Sequence, residues 1–79
     1  MLKDLIEFIA QSLVDHPEQV KVREIEEEKV TVVELSVAGE DLGKVIGKGG
    51  RTAKAMRAVL LTAGVKANKK TVLEIIESH

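Results

Sequence analysis

Seventy-nine residues make one small domain with a modest core and leave no room for a second. The lack of cysteine excludes disulfides, thiol nucleophiles and thiolate metal sites. The formal net charge of −1 excludes strong non-specific binding to polyanions, yet it hides a division: residues 1–40 carry four basic and ten acidic side chains (net −6), residues 41–70 eight basic and one acidic (net +7), and residues 71–79 two acidic (net −2).

Leu2, Leu5, Ile6, Ile9 and Leu13 recur at helical spacing, which predicts an amphipathic helix from Leu2 to Val14 with Phe8, the only aromatic residue, in the core or at its edge. Asp15-His16-Pro17 ends it, because proline has no N–H and biases His16 away from helical backbone. Gln19 to Glu27 is a strand whose alternation slips after Val22, which suits a bulge or an edge position. The charged run Glu26-Glu27-Glu28-Lys29 is a solvated hairpin connection. Val30 to Val37 is the clearest strand: Thr31, Val33, Leu35 and Val37 share one face, and Val30, Val32, Glu34 and Ser36 share the other.

Ala38-Gly39-Glu40-Asp41 turns into a short helix of about two turns, and Glu40 and Asp41 oppose its positive end. Beyond a glycine loop, a longer helix runs from Arg51 to Ala63 with Gly64 as its C-terminal cap. A basic loop follows from Val65 to Lys70, then a last strand from Thr71 to Ile76 and a tail, Glu77-Ser78-His79. The strands on either side of the helix pair are too distant in sequence for a hairpin and join through the helical crossover. The fold class is α+β, in the order α-β-β-α-α-β, with a three-stranded mixed sheet covered on one side by three helices.

Leu42-Gly43-Lys44-Val45-Ile46-Gly47-Lys48-Gly49-Gly50-Arg51-Thr52-Ala53-Lys54 organises the chain. Gly47-Lys48-Gly49-Gly50 is a tight turn between two helices with one basic side chain at its tip, and the second helix adds the positive end of its dipole. A Walker A loop fails here: only three residues separate Gly43 from Gly47-Lys48, and Gly49 stands where the Mg²⁺-binding hydroxyl belongs. A dinucleotide fingerprint starting at Gly47 meets Thr52 at its third glycine and follows a helix instead of a strand. What remains is a Gly-x-x-Gly clamp for a sugar–phosphate backbone, with Gly47 and Gly50 outermost.

Val45-Ile46-Gly47-Lys48-Gly49-Gly50 resembles the signature of the KH domain, and the element order resembles its type II arrangement. Glu40 to Lys48, Arg51 to Arg57, Leu13-Val14-Asp15-His16-Pro17 and Val72-Leu73-Glu74-Ile75 are similar to the small single-domain bacterial KhpA family, over essentially the whole chain. The resemblance implies a single-stranded RNA-binding protein and RNA chaperone. It also implies a homodimer or a complex with a larger KH-containing partner, KhpB, linked to cell elongation and envelope homeostasis. One departure is Ala53, where many KH domains carry Ile; the smaller side chain widens or shallows the groove.

On that reading, N–H groups near Gly49, Gly50 and Arg51 face phosphates, Lys48 adds charge, and Lys44, Arg51 and Lys54 flank it. The type II arrangement puts Lys66, Lys69 and Lys70 on the opposite wall, and bases rest on Val45, Ile46 and part of the last strand. No exposed aromatic is expected to stack them. Ala55, Ala58, Val59 and Leu61 extend the apolar side of the long helix beyond the stripe Ala53, Met56, Leu60 and Ala63, which fits either a subunit interface or small alanines tolerated on a surface. The alternative from another class is a protein-interaction module with a weak RNA groove. His16 and His79 have no catalytic or ligand spacing, and no base serves the Ser and Asp residues, so no catalysis, cofactor, metal or small-molecule substrate is expected. No signal-peptide pattern or membrane-length apolar run is present, so a cytoplasmic location away from membranes is expected.

Overall fold

In the first helix, α1 (Leu2–Leu13), only part of the apolar stripe goes inward. The computed structural model describes residues 2–78; His79 lies outside the described residues. Ile6 and Ala10 are fully buried and Leu2 and Ile9 pack against the core, while Leu5 and Leu13 are half exposed. Phe8, expected in the core, is 68% exposed. At about 100° per residue it lies some 200° around the helix from Ile6, so the two cannot face the same core. The chain then turns through Pro17–Gln19, closed by Gln19 N–H to His16 O (3.0 Å).

Strand β1 (Lys21–Glu26) pairs antiparallel with β2 (Val30–Val37) in unbroken register from Lys21 with Ser36 to Glu26 with Thr31. The expected bulge is therefore absent. The alternation slips because Val22 points into the core and Ile25 to the opposite face, where it is part exposed. β1 is an edge strand, as one of the expected options. In β2 the buried set is Thr31, Val33, Leu35 and Val37, the face foreseen from the alternation.

Strand β3 (Lys70–Glu77) lies parallel to β2, from Val30 with Lys70 to Val37 with Glu77, giving the mixed order β1-β2-β3. A parallel pair needs a crossover. Helices α2 (Leu42–Ile46) and α3 (Arg51–Ala67) supply it, with the glycine loop between them. The core lies between the sheet and the helices: Ile6, Val22, Leu35, Val45, Met56 and Leu60 are among its members. The other face of the sheet carries Ile25, Val32, Glu34, Val72 and Glu74.

α3 runs four residues past its expected end. Gly64 lies inside it and is buried; a Cβ there would stand 2.5 Å from the Lys69 carbonyl and 2.9 Å from Thr71 Cγ2, so glycine lets β3 start close against the helix. The left-handed residue that ends the helix is Asn68 (φ 57°), with Lys69 N–H to Gly64 O (2.8 Å) and Asn68 N–H to Val65 O (3.2 Å). The expected basic loop from Val65 to Lys70 shrinks to Asn68-Lys69.

Candidate nucleic-acid interface

The connection between α2 and α3 is shaped by its glycines. Gly47 has φ 79°, and a Cβ on it would collide with Thr52. Gly49 (φ 64°, ψ 17°) and Gly50 (φ 77°, ψ 14°) are consecutive left-handed residues that L side chains disfavour. Together they reverse the chain within four residues and leave exposed Lys48 and Gly49 at the tip. Gly47 N–H donates to Gly43 O (2.9 Å), Gly50 N–H to Gly47 O (3.0 Å) and Arg51 N–H to Lys48 O. The expected set of N–H groups near Gly49, Gly50 and Arg51 is thereby narrowed: those of Gly50 and Arg51 bond to the loop's own carbonyls, whereas those of Lys48 and Gly49 make no such bond among the described residues.

The apolar pair before the loop splits. Val45 is fully buried in the core and offers no surface, whereas Ile46 is 40% exposed. Ala53 is also buried, so its size is a matter of packing under the loop and not of groove width. Lys48, Arg51 and Lys54 are exposed and, among the described residues, form no ion pair.

Lys44 is different. Its Nζ lies 3.2 Å from Asp15 Oδ2 and 3.5 Å from Asp41 Oδ1, and the Asp15 hydrogen bond, helped by the charges of both carboxylates, holds its pKa above the usual lysine value. It faces the end of α1. The centre of this cluster is Asp41, fully buried, which sequence reasoning had placed only as a helix-start charge. Its carboxylate accepts Asp15 N–H (3.2 Å) and His16 N–H (3.0 Å). Burial pushes its pKa up, but the two N–H groups, Lys44 and His16 outweigh that and hold it below the ordinary carboxylate value. His16 Nε2 meets Glu40 Oε1 at 2.7 Å beside it. This brace fixes the five-residue α2, and with it the loop, to the α1–β1 connection. Its only sequence signal is the Asp41–Lys44 spacing, which is common on helix surfaces.

Lys69 and Lys70 do not join the loop. α3 has 17 residues, so they lie about 25 Å away at its other end. Lys69 is also paired with Glu26 Oε1 at 2.9 Å. Nor does Lys66, in the last turn of α3, approach the loop. The wall opposite the helices is instead the free edge of β3, which returns from Lys70 toward the end of β2 where α2 begins. Between α3 and β3 lies a crevice of about 180 Å³, lined by Arg57, Leu60, Leu61, Thr71, Val72 and Leu73. The exposed aromatic that was not foreseen, Phe8, sits on α1, which packs mainly on β1 at the far edge of the sheet. Among the described residues no helix is long and apolar enough to cross a membrane.

Comparison with known proteins agrees with this architecture. The family model "KhpA/KhpB, KH domain" matches residues 3–75. The RNA-binding protein KhpA of Clostridium perfringens is 56% identical over 75 residues, covering 95% of this chain and all of that protein. Its counterpart in Aquifex aeolicus is 53% identical and covers 96% of each chain. Among solved structures, Era in complex with MgGDPNP and nucleotides 1506–1542 of 16S ribosomal RNA superposes with a TM-score of 0.62 at 19% identity, over 96% of this chain and 29% of that one, a likeness of fold. A β-β-α-loop-α-β core behind an N-terminal helix, a glycine loop between the two crossover helices and these full-length relatives lead to one conclusion: the chain belongs to the KhpA/KhpB family of KH-domain proteins.

Proposed function

We propose that this protein binds single-stranded RNA, holding about four nucleotides along the glycine loop. The observation that carries the reading is the pair of left-handed glycines, which sets Lys48 and two N–H groups at the tip of a turn at the positive end of the 17-residue α3. The relatives named as RNA-binding proteins support it, as do the free charges of Arg51 and Lys54 beside the loop. Phosphates lie over Lys48 and Gly49. Bases lie over Ile46 and toward the α3–β3 crevice, where no aromatic stacks them, so one copy binds weakly. Stacking contributes roughly 1–3 kcal/mol per base where it occurs. The test is anisotropy of a fluorescein-labelled single-stranded RNA over a salt series. Lys48→Ala weakens binding and lowers the slope of log affinity against log salt by about one, as expected for one lost phosphate contact. Lys44→Met, whose charge is held by Asp15 and Asp41, leaves that slope unchanged. An unchanged slope for Lys48→Ala overturns the reading.

The second reading, association through α3, is favoured by Leu61 and Val65, which lie one turn apart on one face of the helix and are 60% and 74% exposed. A homodimer on this face, or a complex with a KhpB-type protein, adds a second weak groove and gains affinity by avidity. RNA chaperoning and the link to cell elongation and envelope homeostasis belong to the same proposal, since weak multivalent contacts let RNA rearrange. Sedimentation equilibrium at tens of micromolar is expected to show dimer, and Leu61→Glu to shift it to monomer.

A further inference from the structure

We infer that the open face of the sheet pairs with the same face of a second copy, β1 of each copy lying over β3 of the other. This face is turned away from the helices and the glycine loop, so the contact is separate from the one proposed on α3. Side chains alternate between the two faces of a strand. With Thr31, Val33, Leu35 and Val37 turned to the helices, the open face shows the other residues of β2 and their register partners. These form cross-strand rows. Ile25, Val32 and Val72 make an unbroken apolar row over all three strands, with Ile25 36% exposed and both valines half-buried. Arg23, Glu34 and Glu74 make the row on one side of it. On the other side stand Glu27, Val30 and Lys70, where Glu27 continues the pairing by donating its N–H to Val30 O (2.8 Å).

Two features of these rows point to a second copy. Glu34 and Glu74 stand in register on neighbouring strands, where like charges repel. Arg23 reaches Glu34 (3.7 Å), but no cation pairs with Glu74 among the described residues. The two edge strands also carry opposite charges at each level: Arg23 on β1 against Glu74 on β3, and Glu27 against Lys70. A two-fold axis along β2, between two stacked sheets, exchanges β1 with β3 and keeps each row at its own level. It sets Arg23 over the other copy's Glu74, Glu27 over the other copy's Lys70, and apolar row over apolar row. Sheets stacked within about 30° of aligned keep these rows in reach. Glu34 lies on the axis, held down beside Arg23 with its side chain 23% exposed. Lys21, Arg23 and Lys70 balance Glu27, Glu34 and Glu74, so the face gives RNA no electrostatic hold. Strands about 4.8 Å apart and rows about 7 Å apart give roughly 350 Å² per copy, about 700 Å² in all, below the roughly 1,200 Å² of a stable complex. The contact is therefore weak. It operates where copies are already gathered, as on one RNA strand, at effective concentrations on the order of millimolar.

The test is sedimentation equilibrium in the Leu61→Glu background, which removes the α3 contact. The protein is expected to be monomeric at tens of micromolar and to pair at about 1 mM. Adding Glu74→Arg sets arginine over arginine and weakens this pairing about tenfold or more. Its melting temperature does not fall, because an arginine at position 74 faces Glu34 in register. Arg23→Glu weakens the pairing in the same way. An equimolar mixture of the Arg23→Glu and Glu74→Arg proteins pairs again, since one carries carboxylates at both positions and the other arginines at both. Arg23→Glu/Glu74→Arg in one chain keeps a cation beside Glu34 and pairs with itself, which covers the case of an unstable Arg23→Glu protein. A Leu61→Glu protein that stays monomeric at about 1 mM overturns the inference and leaves the face to a helix of another protein. Pairing that survives Glu74→Arg, or that neither the mixture nor the double exchange restores, overturns it too. If Leu61→Glu is still dimeric at tens of micromolar and Glu74→Arg abolishes that dimer, the sheet face stands and the α3 contact falls.

Discussion

Lys48→Asp/Gly49→Asp is expected to keep its fold and to lose RNA affinity by about a hundredfold or more. The fold survives because of the local geometry. Lys48 is exposed and, among the described residues, has no ion pair to lose, and a Cβ at Gly49 meets nothing within 4 Å. The left-handed backbone of Gly49 suits aspartate better than most residues, at a cost of roughly 1–2 kcal/mol. Binding suffers three times over: one positive charge is removed and two carboxylates occupy the places proposed for phosphates. A like-charge contact at 4 Å costs about 1 kcal/mol in water and about 4 kcal/mol near a protein surface. Even the lower figure for each carboxylate, added to the lost lysine contact, exceeds the roughly 2.7 kcal/mol that a hundredfold change represents. Anisotropy with labelled RNA measures the loss, and far-UV circular dichroism with a thermal melt checks the fold. Equal binding by a folded variant would move the RNA site away from the loop.

Asp41→Asn has the largest expected effect on stability. The side chain is nearly isosteric, so packing is preserved, but an amide cannot replace a carboxylate that accepts from Asp15 N–H and His16 N–H while facing Lys44. One N–H is left facing an NH₂ group, and a part-buried donor without an acceptor beside a fully buried side chain is destabilising. At pH 7 the melting temperature is expected to fall by roughly 5–15 °C for a chain of this size. The pH dependence identifies the cause. Because the folded pKa of Asp41 lies below its unfolded value of 3.8, the carboxylate stabilises the fold above that pH and loses the effect as pH falls through the folded pKa. The gap between wild type and Asp41→Asn is therefore wide at pH 7 and narrows below pH 3.8. Lys44 works in the opposite sense: its raised pKa makes its contribution complete below 10.5 and lost as pH climbs through the folded value. Thermal melts from pH 7 down to the acid limb measure the first effect; a gap of constant width would exclude the carboxylate charge as its source.

The stretches that could be read correctly are those whose physics is local. β2 alternates strictly with both faces distinct, so its buried set follows from its own residues. The helix-turn-helix around Gly47–Gly50 follows from glycine spacing, because positive φ is a property of single residues. The element order, and with it the mixed sheet under one layer of helices, follows from the arrangement of these local patterns.

Where two residues offered the same local signal, the chain alone did not decide between them. Gly64 and Asn68 can each end a helix, and Asn68 does so because β3 must start against α3, which only a glycine at position 64 permits. Val45 and Ile46 are adjacent and apolar, but the crossing of α2 over the sheet buries one and leaves the other out. Lys44, Lys48, Lys69 and Lys70 carry the same charge in sequence. The tertiary structure gives Lys44 to Asp15 and Asp41, gives Lys69 to Glu26, and leaves Lys48 at the tip of the loop. The sequence by itself determined the elements and the turn, since these depend on neighbours along the chain. Only the tertiary structure decided which polar groups are buried and which cations are free, because those depend on what folds over them from tens of residues away.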